Sequence, residues 1–435
     1  MPESNPPLNT QTQVPYTADF PAMIRTIMWN CLGFFFLDFI IPFVSKTELN
    51  ATGLQMGVLY AVISVGSLIG SPLAGWLTDH VPRRKLILGG AVGRGISYFI
   101  LYAGILARSY EIIATGYASL GFSVTFFWVP LDTLIALKTD KKHRSFAYGK
   151  ENSSNGKGTL LGTTLGMTVF LLGNAFIPGM SWVIYCPLIL FGIANFTAGV
   201  TFLRRVDENV KYIPPEGEET TEIPTASIES TTRLPLGITS RAMFLGLILL
   251  LVALALSGVN GSLAQPFLQF YVLSDFTTNP NLVVIIYIPS GVVSMLIAPY
   301  LGRLVDRINH PYLGMIITGI SGALATIALL NANNVWAFMA TLILVSTAST
   351  TENLIIQNFI SRISRTRRGR FFGLRSLFAQ IGAIIGPILG GFVWDSLGMQ
   401  WPFIISIFVV LALIPIYVVA MRKILPHLAE KVETS

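Results

Sequence analysis

The chain has 435 residues, of which 52% are hydrophobic and 12% charged, with a formal charge of +7 and a mean hydropathy of +0.64. Soluble domains carry charge on about a quarter of their residues, so this composition excludes an ordinary water-soluble protein. The surplus of basic residues would suit a nucleic acid, but no basic patch is interleaved with aromatics, and the placement of the charges points elsewhere.

The first twenty residues are polar and Pro-rich, with no apolar core of a cleavable signal. Apolar runs of membrane-spanning length then follow at 22–44, 55–77, 86–106, 112–137, 156–178 and 181–203. Pro178-Gly179 marks the turn between the fifth and sixth runs. Six more runs lie at 243–272, 282–304, 312–331, 335–357, 372–394 and 402–421. With the N-terminus inside, Lys and Arg collect in the inside connections. Only Lys46 and Arg108 fall outside, while Arg94 sits within the third run. The positive-inside rule therefore places both termini in the cytoplasm of a multi-pass protein of the cell membrane. Cys31 and Cys186 lie in apolar stretches, and His80, His143, His310 and His427 lie in polar connections or the tail. No metal or cofactor is expected from them.

These runs predict an all-α polytopic membrane protein of twelve transmembrane helices in two pseudo-symmetric six-helix bundles. A cytoplasmic tail (1–21) precedes the first bundle (22–205). A Glu-, Thr- and Pro-rich cytoplasmic linker (206–240) leads to the second bundle (241–422) and a tail (423–435). The halves repeat each other. One constant shift superposes Tyr60, Pro72, Gly75, Leu77 and Asp79 on Tyr287, Pro299, Gly302, Leu304 and Asp306. A second superposes Gly149, Gly158, Gly162 and Gly166 on Gly373, Gly382, Gly386 and Gly390. Such repeats mark alternating-access carriers, which hold substrate near the midplane between halves.

The connection after the second run reads Gly75-Trp76-Leu77-Thr78-Asp79-His80-Val81-Pro82-Arg83-Arg84-Lys85, and Gly302-Arg303-Leu304-Val305-Asp306-Arg307 is its degenerate copy. It resembles the signature loop of the major facilitator superfamily, G-x-L-x-D-R-x-G-R-[RK], with His80 and Pro82 as departures. The resemblance extends over residues 20–422. It implies a secondary active transporter that needs no cofactor and moves a small organic solute. Asp79 would meet the dipole and free N–H groups at the start of the eleventh span, and Asp306 those of the fifth. With Arg83, Arg84 and Arg307 they would form an inner gate. Proton-driven exporters of the family place G-x-x-x-G-P-x-x-G-G in the fifth span. Here the complete pattern, Gly382 to Gly391 with Pro387, lies in the eleventh, and Tyr117 replaces those exporters' arginine. That departure weakens the case for proton-driven drug export.

Charges within spans are costly and functional by default. Asp38 lies among Phe34, Phe35, Phe36 and Phe39, where desolvation works against its charged form, as proton coupling requires. A fixed pair with Arg94 is the competing reading, and Arg94 would otherwise attract an anionic substrate. Asp132 and Glu352 occupy matching places near the inner ends of the fourth and tenth spans, where Arg375 could pair with them as a gate. Polar stripes at helical spacing supply the candidate cavity walls: Asn30 in the first span; Tyr117, Thr125 and Trp128 in the fourth; Gln265 and Gln269 in the seventh; Asn353 and Gln357 in the tenth.

Two transport readings follow: proton-coupled export of drug-like or amphiphilic compounds, and import or facilitation of a sugar-like or other polar metabolite. A third reading is a non-transporting sensor or scaffold that kept the fold. An enzyme is not expected, because the chain has no HExxH motif, no Walker A loop and no Ser/His pair within the spans. The expected partners are a small-molecule substrate, protons and the lipid bilayer, around a functional monomer.

Overall fold

The computed structural model describes residues 16–140, 147–213, 241–277, 310–360 and 377–427. It also describes the backbone of 144–146, 361–363 and 368–376, and single positions between 279 and 305. Among the described residues there is no β-strand, only an isolated bridge between Tyr16 and Thr139. Eleven helices there are long and apolar enough to cross a membrane. Every described position from Leu282 to Val305 is also helical, which lies where the eighth span is expected.

The first span is Phe20–Asn30 continued by Phe34–Thr47, and the second to fifth are Gly53–His80, Arg83–Leu106, Tyr110–Leu137 and Arg144–Phe176. The sixth is Ser181–Ile184 with Pro187–Arg205, and the seventh Arg241–Leu263 with Phe267–Asp275. The ninth to twelfth are Pro311–Leu330, Val335–Ile363, Arg368–Leu397 and Trp401–Ile424. Local chemistry sets the ends. Thr52 and Gln55 form a reciprocal capping box at the start of the second span, and the Ser109 hydroxyl accepts from the Ile112 N–H at the start of the fourth. The expected turn at Pro178-Gly179 is made with Gly179 at φ 92°, a conformation natural to glycine. Three spans are broken where the sequence reading took them as continuous. The interruptions fall at 31–33, at 185–186 and at 264–266, the last one holding Pro266.

Within the first half the fourth span packs on the second and third, and the sixth on the third. In the second half the seventh packs on the eleventh and twelfth, and the ninth on the tenth and twelfth. The glycine rows lie inside the halves. A Cβ at Gly158 or Gly162 would strike the carbonyl of Met28 or Leu32 in the first span. One at Gly382, Gly386 or Gly390 would strike the seventh-span backbone at Gly258, Val259 or Leu263. The rows therefore seat the fifth span on the first and the eleventh on the seventh, within each half, where family resemblance alone would have put them between the halves. Small residues allow that approach.

Buried apolar residues fall into three groups. One holds Ile27, Phe127, Leu131 and Phe202, within the first half near the termini face. A second holds Leu250, Ile356, Phe359 and Tyr417, within the second half near the same face. The third joins both halves at the far face, where Phe39, Phe43, Leu59 and Phe170 meet Phe267, Phe270, Tyr271 and Phe338. The halves therefore share one core at the far face and keep separate cores at the termini face.

Replacing Gly162 or Gly386 by Leu should cost about 1–3 kcal/mol and lower the thermal unfolding midpoint of the solubilised protein. Gly149→Ala, whose added Cβ meets nothing within 4 Å, should leave it unchanged or raise it slightly.

Candidate functional site

The break in the first span creates a polar site. The Asn30 carbonyl ends a helix there and lacks an onward helical partner. The Arg94 guanidinium, fully buried, donates from Nη2 to that carbonyl at 2.9 Å and from Nη1 to the Asn30 side-chain oxygen. Asn30 donates to Asn195 Oδ1 at 2.8 Å, and Asn195 donates to the Phe191 carbonyl at 2.8 Å. Phe34 and Phe127 lie 4.5 and 5.8 Å from the guanidinium carbon. The cation is thus held by a helix C-terminus, the Asn30 amide and two ring faces. Asn30 belongs to this network. The pairing of Arg94 with Asp38 considered from the sequence is not made.

Asp38 is exposed although it lies midway along the first span, between the buried Leu37 and Phe39. Its electrostatic neighbours are Tyr60, Tyr98 and Tyr117, and the rings of Tyr60 and Tyr117 meet edge to face at 6.4 Å. Asp38 therefore faces open space flanked by the second and fourth spans. Thr125 turns its hydroxyl to the Phe122 carbonyl at 2.8 Å, and Trp128 packs against Phe127.

Asp132 is exposed near the inner end of the fourth span, beside Glu151, a buried acid of the fifth that the polar-stripe reasoning passed over. The signal for Glu151 was its repeat relation to Arg375. Asp79 is exposed. Arg84 binds within its own half, donating to the Leu203 carbonyl at 2.5 Å and lying 3.7 Å from Asp207. Arg83 is half-buried with its Nε unbonded among the described residues. Asp306, Arg307 and the Arg375 side chain lie outside the described residues.

In the second half, a cavity of about 550 Å³ is walled by the seventh, ninth, tenth, eleventh and twelfth spans. Its polar lining includes Ser257, Asn260, Gln265, Ser346, Asn353 and Glu352, and its apolar lining includes Leu254, Leu268, Ile356 and Phe403. Glu352 is hydrogen-bonded to Ser257. The Asn260 side-chain oxygen is buried without a partner among the described residues. Gln265 and Asn353 line this cavity. Gln357 is exposed and Gln269 is used elsewhere.

Gln269 belongs to the far-side closure, where it donates to the Phe39 carbonyl at 2.9 Å across the two halves. Lys46 lies 5.5 Å from the Phe270 ring centre, so one of the two cations on this face is held across the halves as well. The other, Arg108, lies 3.7 Å from Glu48. The tightest contact joins the second and eleventh spans. Asp395 accepts from the Gly53 N–H and the Leu54 N–H, both at 2.8 Å, and so caps the start of the second span from the end of the eleventh. A Cβ at Gly57 would strike the Pro387 carbonyl, and one at Gly391 the Gly53 carbonyl. Toward the other end of the second span, Ile69, Leu73 and Trp76 are exposed, and a Cβ at Gly75 would meet nothing within 4 Å.

A family model for the Major Facilitator Superfamily matches residues 26–310 and 250–434. The chain belongs to the major facilitator superfamily. The multidrug resistance protein MdtG of Salmonella choleraesuis (strain SC-B67) is 25% identical over 388 residues, covering 86% of this chain and 87% of that relative. MdtG of Dickeya zeae (strain Ech586) is 26% identical over 401 residues, covering 88% and 91%. In fold, the chain is similar to a bacterial homologue of the human lysosomal transporter Spinster in an inward-facing, occupied conformation. That match has a TM-score of 0.72 and 12% identity, over 95% of this chain and 97% of the other. It is also similar to the nucleoside transporter NupG, with a TM-score of 0.67 and 14% identity over 93% and 99%. As a member of this superfamily the protein is a multi-pass secondary transporter.

The superfamily signature loop led the sequence reading to one feature of the termini face but not to another. Lys138, fully buried, lies 2.7 Å from Asp19 and donates to the carbonyls of Asp207 at 2.5 Å and Val210 at 3.0 Å. Thr17 and the Asp207 N–H also donate to Asp19, at 2.7 and 3.0 Å. Burial alone would raise the Asp19 carboxyl. These hydrogen bonds, with the Lys138 charge, outweigh it and hold the group below its ordinary value. One clamp thus ties the chain before the first span, the end of the fourth and the segment after the sixth. Spacing gives no signal for it, since its partners are 119 and 69 positions apart.

Asp395→Asn should weaken the far-side closure by about 1–2 kcal/mol. A cysteine at the buried Met56 should then react faster with an impermeant maleimide applied from the far side. Asp19→Ala should lower stability by about 3 kcal/mol, because Lys138 would stay buried and unpaired, and Lys138→Met should cost less. The difference between wild type and Asp19→Asn should be complete above about pH 4. It should vanish as pH falls through the lowered Asp19 value, as read by thermal unfolding.

Proposed function

We propose that this transporter exports amphiphilic, drug-like organic compounds across the plasma membrane, with both termini in the cytoplasm and a proton gradient as the driving force. The observation that carries the reading is the cavity of the second half, which combines apolar walls, amides and hydroxyls with one carboxylate, Glu352. Such a wall suits a ligand with an apolar body and a polar or basic group. The MdtG relatives, named for multidrug resistance, support the substrate class. The repeated termini-face basic residues support the orientation.

In this reading the two halves rock against each other, and the far-side core is their contact in the state described here. The second and eleventh spans close one face at a time, with Asp395 capping the second span in the state described here. When the far face opens, Asp79 reaches the start of the eleventh span and closes the other. Asp38 takes and releases the coupling proton, because it is the acid of the first span that faces open space. Asp132, Glu151 and Glu352 shape the balance between the two states. No covalent chemistry is assigned to any of these groups.

In liposomes with an internal pH dye, one compound of a cationic and neutral amphiphile panel should evoke proton movement under an imposed pH gradient. Asp38→Asn should abolish it while leaving compound binding within about threefold of wild type. Proton movement retained in the variant would move coupling to Asp132 and Glu151. Labelled solute crossing without protons would replace exchange by uniport. Neither flux nor binding across the panel would sink the transport of amphiphiles.

A further inference from the structure

Two arginines with no partner among the described residues flank a cavity of about 310 Å³ between the first and sixth spans, at the termini face. They are Arg25 and Arg205, both exposed. The acids nearest in sequence are engaged elsewhere: Asp19 with Lys138, and Asp207 and Glu208 with Arg84. Trp29, 48% exposed, and Thr201 lie one helical turn further into the membrane, and Thr197 one turn beyond that. Deeper still on the sixth span, Ile193 and Leu190 present exposed apolar side chains to the surroundings. Ala22 and Ala198 keep the floor of the groove shallow.

We infer that this groove binds the headgroup of an anionic phospholipid of the inner leaflet. The order of chemistry along the groove matches the order of chemistry in such a lipid. Two guanidiniums stand at the level of the phosphate, where their planar donors fit its oxygens. Hydroxyls and an indole stand at the level of the glycerol and ester groups, where tryptophan gathers in membrane proteins. Apolar side chains continue at the level of the acyl chain. A free phosphate in water would use only the first layer, whereas a lipid uses all three. Basic pockets between spans on the cytoplasmic side bind anionic headgroups for the same electrostatic reason. The site is on the outer surface of the first half, apart from the second-half cavity and from Asp38. It holds whether or not the exported solute is amphiphilic.

The groove also joins two elements that the Arg94–Asn30–Asn195 network already links deeper in the membrane. An anion shared by Arg25 and Arg205 relieves the repulsion between two like charges on neighbouring helices. It thereby ties the start of the first span to the end of the sixth.

The test uses the full-length protein in nanodiscs with equal phosphatidylglycerol and phosphatidylcholine, released for native mass spectrometry. The wild type should retain phosphatidylglycerol over phosphatidylcholine, and each of Arg25→Gln and Arg205→Gln should reduce that preference roughly fivefold. Arg25→Lys with Arg205→Lys, which keeps both charges, should retain most of it. A second readout stays with the folded wild type. Brominated phosphatidylglycerol should quench tryptophan fluorescence more than brominated phosphatidylcholine, and Trp29→Phe should remove that excess. Equal retention in wild type and Gln variants, or quenching unchanged by Trp29→Phe, would overturn the site. Displacement of the lipid by millimolar inorganic phosphate would overturn the lipid in favour of a free anion.

Discussion

In this structure the two halves of the transporter are welded at one face and, among the described residues, share no apolar core at the other, and most of its other features take their meaning from that asymmetry. A single apolar core runs through the far ends of both bundles, while each bundle closes its own core at the termini face. In a bilayer, lipid tails are as apolar as leucine, so burial against lipid does little to pull the halves together. Their association rests on close packing and on the few polar links that cross the seam. The Gln269 amide on the Phe39 carbonyl and the Asp395 carboxylate on two backbone N–H groups are such links. Both belong to the welded face.

The interior of the first half is organised by a buried cation, Arg94, that pairs with no carboxylate among the described residues. A guanidinium in that position is costly, and its retention follows from what the broken first span supplies. Interrupting the helix at 31–33 frees the Asn30 carbonyl, and the glycine row of the fifth span lets the first span sit close beside it. The break, the glycine row and Arg94 form one arrangement. It leaves Asp38 without a counter-ion among the described residues and facing open space, which is what the proposed proton exchange requires.

Much of the architecture was legible in the sequence because the bilayer imposes a strict length and apolarity on each crossing. Eleven of the expected spans appear among the described residues, and the Pro178-Gly179 turn falls where the residues place it. The breaks were less legible. Cys31-Leu32-Gly33 is apolar throughout, so hydropathy runs straight across it. The glycine rows were found from spacing, but the helix each would face was assigned by analogy, and the structure places them within the halves. For the site, the stripe rule found Gln265 and Asn353 yet also named Thr125 and Gln269. A polar residue one turn from a cavity looks the same in sequence as one bonded to a neighbouring helix. Lys138 and Asp19 could not be joined from sequence at all, because nothing local requires them to meet.

At Gly57 and Gly391 the seam between the second and eleventh spans brings main chain against main chain. Substitution of either glycine can only add bulk, so damage there works as a wedge rather than as a gap. Two bare backbones can also roll or part without stripping any side chain of its partners. Of the polar groups described at this seam, the Asp395 carboxylate and the Gly53 and Leu54 N–H groups must then find water or other partners. In the transport cycle proposed above, such a surface would separate and reseal with parts that carry no orientation to lose.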